Sequence, residues 1–354
     1  MKAARWYGPK DMRVENVPDL PAPAEGCVKI KIKWCGICGS DLHEYIMGPI
    51  SVPLKEPHVV TGKKAPLTLG HEFSGEIVEV GKGVTNYAKG DKVTANPFIG
   101  CGKCYMCRTN RPLSCEYVAL YGLMDDGAFA EYLNVPADQV IKLPDDMSYE
   151  LAALVEPLAV AVHAVRTGNV LVGQTVAVFG AGPIGLCNVL VAKAAGASKV
   201  FAVETAKMRK EYAEKMGAIV IDPTKVDPVE EIKKQTDGIG VDVAIDCAAA
   251  YNSAPNAVNS SRRGGRTVIV GIHEKPISFN FNDILYSEKN IYGIHGYTGY
   301  YSEFEPAVAL LASGAINAEP LITGKIKVED IVEKGFMELI NNKEENLKII
   351  VTPE

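Results

Sequence analysis

The pattern of apolar and polar positions divides the chain into two textures. From residue 1 to about 150 the signal is short-range alternation broken by Gly and Pro. Val28-Lys-Ile-Lys-Ile-Lys33 puts three apolar residues on one side and three lysines on the other, as a half-buried strand does. Phe73–Val80 and Lys92–Ala95 predict further strands of this β-rich region. Tyr149 to Thr167 is apolar nearly all round at helical spacing, which predicts a helix buried between two domains, with His163 as a satisfied core histidine. From Thr175 the texture changes. Short apolar runs at Val176–Phe179, Val200–Val203, Ile219–Ile221, Val243–Ile245 and Val268–Val270 alternate with amphipathic segments such as Lys207–Met216. Strands of this kind separated by helices predict a doubly wound parallel sheet covered on both faces. Asn290–Ile294 reads as a sixth strand, Tyr301–Ser313 as a helix, and Lys325–Val328 and Lys348–Val351 as strands returning to the first domain.

A chain of 354 residues exceeds the usual size of one hydrophobic core, so two domains are expected: 1–156 with 297–354, and 157–296. No apolar run has membrane-spanning length. With 37 basic against 43 acidic residues the net charge is −6, and no basic run supplies the positive footprint that nucleic acid requires. Met1–Trp6 lacks the apolar core of a secretory leader, and an odd total of nine cysteines argues for reduced thiols. A cytoplasmic location is the expectation.

The cysteines carry the chemistry. Cys101, Cys104, Cys107 and Cys115 fall within fifteen residues as two C-x-x-C steps and a longer gap. That spacing suits a closed four-thiolate zinc knot; disulfide pairing would require an oxidising compartment. A second constellation is Cys38-Gly-Ser40-Asp41-Leu-His43 followed by Gly70-His71-Glu72. Zinc binds thiolate, imidazole and carboxylate, and a catalytic zinc keeps one position open. Ser40 is placed to hydrogen-bond a group held at that position, and His43 to carry its proton away. Cys35 forms a C-x-x-C with Cys38, which on spacing alone fits a shared metal or a redox dithiol; the neighbouring Ser40 and His43 favour Cys38 as the ligand. Cys27, Cys187 and Cys247 read as core thiols.

Phe179-Gly180-Ala-Gly182-Pro183-Ile184-Gly185 follows a predicted strand and opens a predicted helix. The first glycine allows a tight turn, the second admits a pyrophosphate, and the third lets helix pack on strand. Glu204 lies 24 residues after Gly180 at the end of the next strand. A carboxylate there accepts from an adenosine 2′-hydroxyl and repels a 2′-phosphate, favouring NAD over NADP. Arg209 either stacks on adenine or sits on a solvated helix face.

A catalytic zinc motif, a four-cysteine knot and a later nucleotide-binding half, in that order, resemble the zinc-dependent medium-chain alcohol and polyol dehydrogenases over essentially the whole chain. Lys33–Tyr45, Gly48-Pro-Ile50, the long insert before Gly70-His-Glu72, and Leu154-Val-Glu-Pro157 look most similar to the (R,R)-2,3-butanediol dehydrogenase/acetoin reductase branch. Sorbitol and threonine dehydrogenases are near relatives. The resemblance implies an α/β fold: a β-rich GroES-like catalytic domain plus a Rossmann-type domain. It implies NAD(H) and two zinc ions per chain, with Cys38 and His71 as catalytic zinc ligands, Ser40 and His43 as a proton relay, and Asp41 as a supporting carboxylate. For the third ligand it offers both Glu72 and Glu156, with Glu156, at the start of the interdomain helix, the favoured one. It also implies a homo-oligomer, dimer or tetramer, paired through Ile291–Ile294, acting on a vicinal diol or hydroxyketone.

Overall fold

The alternating stretch at Val28 lies inside a ten-residue strand, Cys27–Gly36, with Val28, Ile30 and Ile32 fully buried. The lysines of the opposite face meet carboxylates at the surface, Lys29 with Glu79 and both Lys31 and Lys33 with Glu354. This strand pairs antiparallel with Glu72–Val80, with Tyr132–Pro136 and with the C-terminal strand Lys348–Thr352. It is the hub of a seven-stranded sheet that continues outward to Lys92–Ala95 and Val140–Lys142 on one side and to Ile322–Lys327 on the other. The computed structural model describes residues 1–299 and 302–354. Its contacts divide the chain into two units: Met1–Glu156 with Thr298–Ala312 and Ala318–Glu354, and Pro157–Tyr297 with Ser313–Asn317.

In the second unit six strands form one parallel sheet. Its order is Ile219–Ile221, Lys199–Val203, Thr175–Phe179, Val241–Asp246, Ser261–Ile269, Asn290–Gly293. Numbered along the chain this is 3-2-1-4-5-6, the doubly wound order of dinucleotide-binding sheets, with its switch point between strands 1 and 4. Phe179, Phe201, Val203, Ile221 and Ile232 fill the core on one face.

Several elements differ from the pattern reading. The Tyr149–Thr167 helix is two helices, Tyr149–Ala152 and Val155–Thr167. Pro157 has no N–H to continue the first helix, and it is tolerated in the first turn of the second. The last predicted helix runs Phe304–Ala312; Tyr301 lies outside the described residues. The Val268 strand begins at Ser261, where arginines and glycines hide the pattern. The strand predicted at Lys325 is Ile322–Lys327, and Val328 opens a helical turn. His163 is half-buried rather than in the core. Among the described residues no helix is long and apolar enough to cross a membrane.

Candidate metal centres and cofactor site

Both potential metal clusters form in the first unit. Cys38 is the residue before the helix Gly39–Met47, and its N–H donates to Asp41 Oδ2 at 2.9 Å. That bond closes the first helical turn and turns Asp41 inward, where it is fully buried. Glu72 opens the strand Glu72–Val80, and His71 is the residue just before it. Ligand atoms of Cys38, His71 and Glu72 all lie within 4.8 Å of one another. The imidazole is flanked on both edges: Nε2 is 3.3 Å from Ser40 Oγ and Nδ1 is 3.6 Å from Asp41 Oδ1. Both His71 Nδ1 and Asp41 Oδ1 are buried without a hydrogen bond. Ser40 and His43, three apart, share a helix face, and His43 is exposed to solvent.

Glu72 is wholly buried and both its oxygens lie 2.7 Å from Lys348 Nζ, which also donates to Ile37 O at 2.9 Å. An ammonium has three N–H donors, and all three find acceptors here. The two side chains meet across the central strand, where Gly36 is the register partner of Glu72. A Cβ at Gly36 would lie 2.2 Å from Glu72 Oε2, so the pair fits only because that position is glycine. Glu156 is buried at the start of its helix and stands outside the group of three. It is near enough to act on it electrically: burial opposes the charged imidazole, yet Asp41, Cys38 and Glu156 together hold His71 well above its ordinary pKa. Burial pushes Asp41 up to about 6. A thiol and three carboxylates thus surround one imidazole and one lysine, an excess of anionic donors that fits a divalent cation.

Cys101, Cys104, Cys107 and Cys115 form the second cluster, with all four sulfurs inside 4.8 Å and Cys101 Sγ to Cys107 Sγ at 4.0 Å. The edge of a tetrahedron with zinc–sulfur bonds of 2.3 Å is about 3.8 Å, so the spacing fits a four-thiolate ion site. Backbone N–H groups already point at the sulfurs. Cys104 N donates to Cys101 Sγ at 3.4 Å, Cys107 N to Cys104 Sγ at 3.5 Å, and Tyr117 N to Cys115 Sγ at 3.3 Å. Such bonds from Lys103 and Cys104 bring the Cys101 thiol down to about 6. Cys35, by contrast, stands outside both clusters, and burial pushes its pKa well up.

In the second unit the turn after Phe179 has the expected form. Gly180 has φ +89°, Gly182 precedes the helix Pro183–Ala194, and Pro183 takes its first position. A Cβ on Gly185 would lie 1.8 Å from Gly180 O, which is the close helix–strand approach its glycine permits. Ile184 occupies the first turn, where N–H groups lack intrahelical partners. Glu204 sits at the end of the second strand, but it has a task the sequence did not reveal. Oε2 accepts from Ala181 N–H at 2.8 Å, and Oε1 accepts from Thr205 N–H at 2.7 Å and Ala206 N–H at 3.0 Å. It therefore ties the glycine turn to the neighbouring strand end. Arg209 Nη1 lies 4.0 Å from where a Gly182 side chain would begin, which puts the guanidinium beside the turn.

Three further residues escaped the sequence reading. Lys348 was one polar letter in an apolar strand. His273 pairs with the fully buried Asp246, Nε2 to Oδ2 at 2.9 Å. Glu44 is buried, and its carboxylate accepts from the N–H groups of Ile50, Ser51 and Val52, anchoring the start of the long insert to the Cys38 helix. A lone charged residue between buried neighbours, as in Leu347-Lys348-Ile349, is the signal that marks the first of them.

A thiolate–imidazole–carboxylate cluster and a four-thiol cage on a β-rich unit, with a dinucleotide-type sheet in the same chain, define the zinc-dependent dehydrogenases as the class. Comparison with known proteins agrees. Residues 24–145 match the alcohol dehydrogenase GroES-like domain and residues 183–313 the zinc-binding dehydrogenase family. The chain is 45% identical to (R,R)-butanediol dehydrogenase of Bacillus subtilis, covering 100% of both proteins. It is 36% identical to sorbitol dehydrogenase of the same organism, covering 100% of this chain and 97% of that one. The crystal structure of 2R,3R-butanediol dehydrogenase from Bacillus subtilis superposes with a TM-score of 0.93 at 44% identity, over 100% of this chain and 99% of that one. The chain belongs to the zinc-dependent medium-chain alcohol dehydrogenase family and is an enzyme of that family.

Removing Lys348 tests the buried pair. Lys348→Met strands an uncompensated carboxylate and should cost about 3–5 kcal/mol of stability in urea unfolding, with part of the loss recovered by adding Glu72→Gln. Equal stability of Lys348→Met and wild type would show that the pair does not hold the site together.

Proposed function

We propose that this enzyme carries out the zinc-dependent, NAD-linked, reversible oxidation of a secondary alcohol, (R,R)-2,3-butanediol to acetoin. The observation that carries the substrate assignment is 45% identity over the full length of (R,R)-butanediol dehydrogenase from Bacillus subtilis. Sorbitol or another polyol is the second reading, supported by the 36% identity to sorbitol dehydrogenase.

Cys38, His71 and Glu72 hold the catalytic zinc in this reading, and the four-cysteine cage holds a structural one. Glu72 fits better than Glu156 because it belongs to the group whose ligand atoms converge, and each of its oxygens keeps a lone pair beyond the bond to Lys348. Bound zinc supplies a Lewis acid for the substrate oxygen, and bound NAD supplies the hydride acceptor. The chain's own groups do the rest. Asp41 orients the His71 ring from its Nδ1 edge. Ser40 Oγ, beside the other edge, takes the substrate hydroxyl proton as it gives up its own, and His43 on the same helix face passes a proton on to solvent. Glu204 favours NAD by placing a carboxylate at the end of the second strand. Arg209, beside the glycine turn, faces the adenosine half. A vicinal diol offers a second hydroxyl for Glu156 to accept, and sites built to pair a hydroxyl discriminate strongly against substrates that lack it.

The same reading includes a homo-oligomer. The edge strand Asn290–Gly293 is largely exposed along its length, and an open edge is a template for a second copy. A monomer in sedimentation at micromolar concentration would overturn this.

Metal analysis of active enzyme should find two zinc ions per chain. Cys38→Ser should lose one of them together with turnover, keeping the fold. Cys107→Ser should lose the other and lower the melting temperature, because closed thiolate sites contribute folding energy. A single zinc in fully active enzyme contradicts this assignment.

Ser40→Ala should reduce turnover by ~10²–10⁴-fold with zinc content intact, and His43→Ala should cost less, since solvent offers a slower outlet. An unchanged rate in Ser40→Ala would mean the proton leaves by another route.

The decisive test of the substrate is a panel at one pH: butanediol stereoisomers, acetoin, sorbitol, threonine and ethanol, each with NAD(H) and NADP(H). The (R,R) diol with NAD should lead. Sorbitol or threonine ahead by about tenfold overturns the substrate and leaves the chemistry standing. Preference for NADP overturns the role given to Glu204.

A further inference from the structure

Asp246 is fully buried at the end of the fourth strand of the parallel sheet, and it organises three strand ends at once. Its carbonyl accepts from Val270 N–H and Gly271 N–H, both at 2.9 Å, fixing the chain as it leaves the fifth strand. Oδ1 accepts from Ala248 N–H at 3.1 Å, folding the segment after the fourth strand back on itself. Oδ2 meets His273 Nε2 at 2.9 Å. The first strand joins through Gly180: a Cβ there would lie 2.8 Å from both Cα and Cβ of Ala248, so the glycine turn rests on the segment that Asp246 shapes. Gly271 makes a similar approach, with its missing Cβ 2.9 Å from Ala249 N.

Topology says what this cluster faces. Ligands of doubly wound sheets bind beyond the carboxyl ends of the strands, at the switch point, which here lies between the first and fourth strands. Glu204, at the end of the second strand, marks the side that takes the adenosine half. The ends of the fourth and fifth strands lie on the other side of the switch point, so they receive the nicotinamide half. Between the two anchors that Asp246 makes, at Gly271 and at His273, stands Ile272, an apolar side chain 74% exposed. Asp246 thus holds both its neighbours, Gly271 through its backbone carbonyl and His273 through its carboxylate, and leaves this one side chain presented.

We propose that His273 is a positioning residue for the nicotinamide half of the cofactor: its bond to Asp246 holds the segment Gly271–His273 in the shape that presents Ile272 to the ring. The inference rests on the dinucleotide reading above. It assigns His273 no proton transfer and no contact with the alcohol.

The experiment is NADH titration by fluorescence of wild-type enzyme, His273→Ala, His273→Gln and His273→Asn. His273→Ala should bind NADH about tenfold more weakly or worse, because it leaves the buried Asp246 oxygen without its donor. His273→Gln, whose amide N–H can reach Oδ2, should recover most of the affinity, and His273→Asn, one carbon shorter, should not. The KM for cofactor should rise in the same order, while kcat at saturating cofactor, alcohol KM and zinc content stay near wild type. If His273→Ala does not fold, the Gln–Asn comparison decides. Equal NADH affinity in Ala and wild type, or Gln binding no better than Asn, overturns the inference. Failure of wild-type enzyme to bind NADH overturns the dinucleotide reading instead.

Discussion

The buried pair of Glu72 and Lys348 is the constraint on which the first unit turns. Two ions taken from water into a protein interior lose several kcal/mol of hydration each, and only complete replacement of their partners makes the exchange tolerable. Replacement here is complete for the ammonium: Glu72 Oε1, Glu72 Oε2 and Ile37 O take its three N–H groups. The pair spans three adjacent strands, because Glu72 begins one edge, Gly36 ends the middle one, and Lys348 begins the C-terminal strand. Registers either side of Gly36, to Glu72 and to Ile350, are locked by the same feature. Two residues beyond Gly36 stands Cys38, and one before Glu72 stands His71. Whatever holds Glu72 therefore holds the candidate ligands on either side of it.

That arrangement ties the chemistry to the far end of the chain. Lys348 lies six residues before Glu354, and the hydrogen bond to Ile37 O joins positions 311 residues apart. Contacts of this range cost loop-closure entropy before they return any stabilisation. The candidate metal centre is thus a product of the completed sheet rather than of the Cys38 helix alone. The four-cysteine cage is the opposite case. Its four sulfurs come from fifteen consecutive residues, and backbone N–H groups of the same segment bond to them.

This difference in range explains what could be read from the sequence. The cage was legible because its ligands and spacing are local. The parallel sheet was legible because each strand is a short apolar run between helical segments, and the glycine turn because its three glycines answer to steric demands within six residues. The long helix at Tyr149 was misjudged because its apolar pattern continues across Ala153 and Leu154, where the helix breaks ahead of Pro157, which has no N–H to bond back to Ala153. Lys348 was invisible as a partner of Glu72, since nothing in either neighbourhood points 276 residues along the chain. The same holds for His273 and Asp246, which neighbouring strands bring together from 27 residues apart.

Carboxylates make the deeper point. A sequence displays an acid; it does not display what balances its charge. Glu44 and Glu204 are balanced by backbone N–H groups of adjacent turns, bonds that are charge-assisted and strongly directional, so these two acids act chiefly as local architects. Asp246 is shared between a backbone N–H and His273. Glu72 alone of the four is balanced by a formal cation, and it alone converges with a thiol and an imidazole. Asp41, beside them, has one oxygen bonded to Cys38 N–H and the other aimed at the His71 ring. An acid whose oxygens accept from several amides is fixed in place with its charge held by those bonds. An acid clustered with other anionic donors around too few cations is where a divalent ion gains most. By that criterion the first unit gathers its anionic donors Cys38, Asp41 and Glu72 around the His71 ring, and the second unit uses its buried carboxylates to shape its strand ends.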